Sequence, residues 1–132
     1  MTGKMVIPSE LQVIRQAALK VLDVVKRCGY DEASAFGIRL ALEEALHNAV
    51  KHGNRADQAK VVKVDYDVDR SRAILTVTDQ GQGFDPAVVP DPTTDENLER
   101  PSGRGIMLMR AYMDQVCFND RGNQVRLVKQ NR

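Results

Sequence analysis

No tryptophan occurs among the 132 residues, and phenylalanine and tyrosine occur only three times each. A surface that stacks nucleic-acid bases needs aromatic faces, so that function class is disfavoured. Net charge is as slight: 19 basic against 18 acidic residues leave +1, which gives no long-range field toward nucleic acid or an anionic membrane. The two cysteines, Cys28 and Cys117, form no spaced pair and no metal pattern. With no signal sequence ahead of them they are expected to be reduced thiols in a cytoplasmic protein. Every apolar run is too short to span a bilayer. Internal repeats, low-complexity tracts and the GxxxxGK[ST] phosphate loop are all lacking. What is there is one domain's worth of chain, residues 1–132, long enough to bury a core without staples.

Hydrophobic spacing predicts the elements. "KMVIPSE" reads as a short strand stopped by Pro8, with Ser9 as N-cap of a helix running to about Arg27. The apolar face of that helix is Leu11, Ile14, Ala18, Val21, Leu22 and Val25, and Gly29 ends it. Asp31 caps a second helix to about His52, stopped at Gly53, with Ile38, Leu42, Ala45, Leu46 and Ala49 toward the core. "KVVKVDYDVD" and "RAILTVTD" read as strands joined by a turn at Asp69-Arg70-Ser71, the first alternating as a half-buried antiparallel strand does. A long stretch rich in Gly, Pro and acidic residues follows, too long for a simple connection and so a candidate functional loop. "IMLMRAYMDQV" predicts a third helix, and "VCFNDRGNQVRLVKQ" a closing hairpin turning near Gly122-Asn123. The expected fold class is α+β: a two-layer sandwich, its sheet mixed but mostly antiparallel, with about three helices on one face.

Three constellations carry candidate chemistry. In "ALEEALHNAVKHGN", Glu44, Asn48 and His52 recur every four residues along one edge of the helix. An Asn oxygen suits a hard cation that also takes phosphate oxygens, and a carboxylate one turn away can activate a hydroxyl. The structural alternative is that Glu44 pairs with neighbouring cations, that Asn48 satisfies backbone, and that His52 meets the helix C-terminal dipole. Glu43 and His47 read as a surface pair. In "TDQGQGF", Asp79 ends a strand just before Gly81 and Gly83, where φ > 0 and close backbone approach to a ligand become accessible. A buried carboxylate there accepts strongly from an exocyclic amine, although an ordinary turn can have the same pattern. In "PSGRGIMLMR", Gly103 and Gly105 precede a helix whose N-terminus suits phosphate, with Arg104 and Arg110 adding charge. Each motif alone is weak.

Their order is more specific: ExxxN on a helix, a strand ending in DxGxG, a long loop, then GxG opening a helix. This resembles the N, G1 and G2 boxes of the GHKL (Bergerat-fold) ATPases. "EEALHNAVKHGN", "TDQGQGFDP" and "RPSGRGIMLMRAYMDQV" are together similar to the bacterial anti-sigma factor serine/threonine kinases, and the similarity runs along essentially the whole chain. The resemblance implies ATP and Mg²⁺ as cofactors. It makes Glu44 the catalytic base, Asn48 the Mg²⁺ ligand, and Asp79 the carboxylate on the adenine amino group, with Gly81 and Gly83 under the base. Gly103, Arg104 and Gly105 become the lid loop around the phosphates, and Lys51, His52, Phe84, Ser102 and Ile106 complete the nucleotide site. Family members often carry Thr after the glycine of the last hairpin, where this chain has Asn123.

By the same resemblance the expected function is phosphorylation of a STAS-domain anti-sigma factor antagonist and sequestration of a sigma factor, by a cytoplasmic homodimer with no nucleic-acid or membrane partner. A nucleotide-gated binding protein of the same fold without kinase activity is the alternative. A detached histidine-kinase catalytic domain fits less well, because neither His47 nor His52 has the setting of a phosphoacceptor on a dimerisation helix.

Overall fold

The computed structural model describes residues 1–55, 57–81 and 103–131, with Arg104 described by its backbone alone; Gly83, Phe84 and Ser102 lie outside the described residues. In chain order the elements are β1 (Thr2–Pro8), a 3₁₀ turn (Leu11–Val13), α1 (Ile14–Arg27), α2 (Glu32–His47), a π-helical turn (Asn48–Gly53), β2 (Val61–Val68), β3 (Arg72–Thr78), α3 (Gly103–Tyr112), β4 (Gln115–Phe118) and β5 (Gln124–Gln130). The five strands form one sheet in the order β1-β2-β3-β5-β4, and every pairing in it is antiparallel.

Period-two alternation sorts the sheet into two faces. Val62, Val64, Val68, Leu75, Val77, Val125 and Leu127 are buried against the helices, while Lys63, Asp67 and Arg126 are exposed on the opposite face. From the helices, Val21, Ile38, Leu42, Leu46, Ile106 and Met109 complete the core. The edge strand keeps a glycine opposite an aromatic: Gly3 pairs with Tyr66, whose ring occupies the space a Cβ would need.

Most of the predicted local chemistry is present. Asp31 caps α2, its Oδ1 accepting from the Ser34 N–H at 2.7 Å. Asp69 closes the β2–β3 turn by accepting from the Ser71 and Arg72 N–H groups at 2.7 and 2.8 Å. Gly29 follows α1 with φ +89°, and Gly122 turns the last hairpin with φ +74°. Four expectations are corrected. Ser9 caps no helix: it is buried, and its hydroxyl donates to the Lys60 carbonyl at 2.7 Å. Leu11 leaves the apolar face, 48% exposed in the 3₁₀ turn that precedes α1. The third helix ends at Tyr112, because Gln115–Phe118 pair with β5 instead of winding on. The second helix changes at Asn48 into the π-helical turn.

Candidate functional site

The α2 terminus forms one wall of a cleft. Ala45 and Leu46 anchor the helix in the core, so the adjoining positions Glu44 and Asn48 fall on its border, half-buried. The π turn then widens the spacing, as such turns commonly do at functional sites. Asn48, Ala49, His52 and Gly53 line a narrow cleft together with Val77, Asp79, Met109 and the β4–β5 hairpin.

Asp79 lies at the end of β3 and is only 8% exposed. Burial pushes its carboxyl above the ordinary value; the Gly81 N–H, which donates to Oδ1 at 2.8 Å, and the charges of Lys60 and Arg121 act the other way. The main chain on both sides of Asp79 is tied down. Its N–H donates to the Asn123 carbonyl at 2.9 Å, and the Asn123 Nδ2 donates back to its carbonyl at 3.2 Å. Gly53 and Gly81 are required here for space. A Cβ on Gly53 would overlap the Asp79 carboxylate, and one on Gly81 would overlap the Gly53 carbonyl. The φ > 0 expected at Gly81 is not used: among the described glycines only Gly29 and Gly122 have it. The close approach is of one backbone segment to another.

The sequence reading passed over Asn54, which locks this corner. It is fully buried. Its Nδ2 donates to Ser9 Oγ at 2.9 Å and the Val61 carbonyl at 3.0 Å, and its Oδ1 accepts from the Gln80 N–H at 2.8 Å. The Gln80 side chain returns a bond, its Oε1 accepting from the Val61 N–H at 2.8 Å. One carboxamide thus joins the end of β1, the start of β2 and the residue after Asp79. An Asn after a helix-ending Gly looks like any turn Asn, so only its burial betrays the role. Asn54→Ala removes three hydrogen bonds, one of them to the buried Ser9 hydroxyl, and stability is expected to fall by roughly 3 kcal/mol. Urea denaturation checks this; a loss under about 0.5 kcal/mol, the range of inert surface changes, rejects it.

The start of α3 closes the other end. A Cβ on Gly105 would stand 2.9 Å from Glu44 Oε2 and 3.5 Å from Asn48 Nδ2. The start of α3 lies directly beside the Glu44–Asn48 edge, and a helix N-terminus carries a partial positive charge that suits anions. The fold therefore brings Glu44, Asn48, His52, Asp79, Gly81 and Gly105 around one cleft and its border. Lys51 is exposed and does not line it, and the Ile106 side chain is buried in the core. Among the described residues no three His, Cys, Asp or Glu side chains are placed to hold a metal, and no helix is long and apolar enough to cross a membrane. Chemically, the arrangement offers a buried carboxylate acceptor at one end, and at the other a carboxylate, a carboxamide and a helix N-terminus.

The model of the histidine kinase-like ATPase domain matches residues 7–129. The serine-protein kinase RsbW of Bacillus velezensis is 31% identical over 121 residues, covering 86% of this chain and 74% of the relative. The anti-sigma F factor of Clostridium perfringens is 33% identical over 98 residues, covering 70% and 69%. The crystal structure of the RsbU and RsbW domains of Rv1364c from Mycobacterium tuberculosis superposes with a TM-score of 0.68 at 14% identity, over the whole of this chain and 32% of that longer one. The chain belongs to the histidine kinase-like ATPase family, among the serine-protein kinases and anti-sigma factors of that family.

Proposed function

We propose that the chain is an ATP-dependent serine/threonine protein kinase that phosphorylates a STAS-domain anti-sigma factor antagonist and, in its other state, holds a sigma factor. The observation that carries the reading is the opposition of a buried Asp79 to a Glu44–Asn48 edge lying against the start of α3. The names of its relatives as RsbW serine-protein kinases and anti-sigma F factors support it further.

Asp79 accepts from the exocyclic amine of adenine, a charge-assisted bond in a site largely walled from water. The N-terminus of α3 receives the phosphates, its N–H groups and dipole favouring anions. Arg104, in the stretch that opens this helix, adds positive charge. Asn48 would hold Mg²⁺ through its side-chain oxygen, and the ion would supply charge neutralisation for the transferred group. Glu44 accepts the proton of the acceptor hydroxyl as that oxygen bonds to the γ-phosphorus and the bond to the ADP oxygen breaks. Catalysis of this kind is chiefly positioning and charge stabilisation, which suits a cleft with few reactive side chains. The kinase works as a cytoplasmic homodimer.

Thermal unfolding with and without Mg-ATP is the test. At a hundred times its dissociation constant a ligand adds about 2.7 kcal/mol, on the order of 10 °C for a domain of this size. A Mg²⁺-dependent rise should accompany transfer of labelled γ-phosphate to the antagonist. No rise at millimolar ATP removes the nucleotide reading; a rise without transfer leaves a nucleotide-gated binding protein.

A further inference from the structure

The residue after Asp79 is held by a closed triangle of hydrogen bonds. The Gln80 N–H donates to Asn54 Oδ1 at 2.8 Å. Asn54 Nδ2 donates to the Val61 carbonyl at 3.0 Å. The Val61 N–H donates to Gln80 Oε1 at 2.8 Å, which completes the circuit. Val61, the first residue of β2, therefore gives its N–H to one amide side chain and its carbonyl to the other. The orientation of Asn54 is fixed by its neighbours: a backbone N–H only donates and a carbonyl only accepts, so Oδ1 must face Gln80 and Nδ2 must face Val61. The second Nδ2 hydrogen goes to Ser9 Oγ at 2.9 Å. Asn54 is fully buried and does not line the cleft, so any effect it has on a ligand passes through its partners.

Gln80 is the partner that reaches the site. The Gly81 N–H donates to Asp79 Oδ1 at 2.8 Å, and its direction follows from the two backbone torsions of Gln80. Once Oδ1 is engaged, Oδ2 is the oxygen left to accept from a ligand. We propose that Asn54 and Gln80 form a positioning clamp for Asp79: they hold the Gln80 backbone against Val61, which aims the Gly81 N–H at Oδ1 and presents Oδ2 to the exocyclic amine of the base. The proposal rests on the nucleotide reading above. The physical argument is preorganisation. A carboxylate free to turn at a strand end loses that freedom on binding, whereas here folding has already removed it, so more of the hydrogen-bond energy appears as affinity. Loss of the clamp should therefore be felt by ligands that carry the amine and not by those that lack it.

Calorimetric titration of the full chain with Mg-ATP and with purine riboside triphosphate tests this. The second nucleotide is ATP with hydrogen in place of the exocyclic amine. The wild type should bind ATP about 30-fold more tightly, the worth of one hydrogen bond to a charged acceptor. In Asn54→Ala that ratio should fall to about three, with the loss on the ATP side. Gln80 is exposed, and Gln80→Ala opens only one side of the triangle; its ratio should be about ten, and it decides the matter should Asn54→Ala not fold. Ser9→Ala is the control. It removes a buried hydroxyl beside Asn54 and leaves the triangle whole, so it should lower the melting temperature and keep the wild-type ratio. A wild-type ratio in the folded Asn54 and Gln80 variants, or an equal fall in Ser9→Ala, makes the network structural only and overturns the proposal. A wild type that binds both nucleotides equally overturns the amine-reading role of Asp79, and one that binds neither overturns the nucleotide reading; the proposal falls with either.

Discussion

Glu44→Gln is expected to bind Mg-ATP with nearly unchanged affinity and to transfer phosphate roughly 10³-fold more slowly. The substitution keeps volume and shape beside Gly105, where the free space is small, so α3 has no reason to move. It removes the one property that proton acceptance needs, a basic oxygen. Asn48, which would hold Mg²⁺, and the α3 N-terminus, which receives the phosphates in the proposed mechanism, are untouched, and that separates the two readouts. Single-turnover transfer from labelled ATP to the antagonist, beside calorimetric titration with ATP, checks both. Turnover within threefold of wild type would remove Glu44 as the base. Parallel loss of binding and turnover would place it in ground-state binding instead.

Asp79→Asn should weaken ATP binding about 100-fold or more, the sum of a lost charge-assisted bond and a donor facing a donor. The Gly81 N–H holds Oδ1, so the asparagine Nδ2 takes the place of Oδ2 and cannot accept. The same change should leave the ligand-free fold slightly more stable at neutral pH. Burial raises the folded pKa of Asp79 above 3.8. A carboxyl raised in the folded state contributes stability that is complete below its unfolded pKa and is lost as pH rises through its folded value. At pH 7 the wild type therefore carries a buried charge that the amide does not. The melting temperature of the ligand-free variant should lie above that of the wild type at pH 7, with the gap closing as pH falls through the raised Asp79 pKa. A variant less stable than wild type at pH 7 would show that the Lys60 and Arg121 charges outweigh the burial. Loss of ligand affinity at a gain in stability is the usual mark of a residue kept for function.

Much of this was legible in the chain itself. The buried faces of α1 and α2 followed from 3.6-residue spacing, except at Leu11, where a tighter 3₁₀ turn rotates the side chain outward. Asp31 and Asp69 acted as local caps because their hydrogen bonds need only neighbours two or three residues away. Ser9 failed as a cap because partners far along the chain claimed its hydroxyl: Asn54 and Lys60 lie 45 and 51 residues away. The α3 boundary failed for a related reason, since residues with adequate helix propensity were taken by β5 as a strand partner. Sequence order sufficed to place Glu44, Asn48 and Asp79 as candidates. It gave no sign that Asn54 would be buried.

The sequence by itself determined periodicity, caps, turns and the order of the motifs, because each depends on residues close in the chain and on the fixed geometry of helix and strand. Tertiary structure alone decided which glycines were needed for space, which asparagines became buried connectors, and that the start of α3 would lie against Glu44 and Asn48. Those outcomes depend on contacts across tens of residues. A polar side chain's role is set by what desolvates it and what satisfies it, and neither is written beside it in the chain.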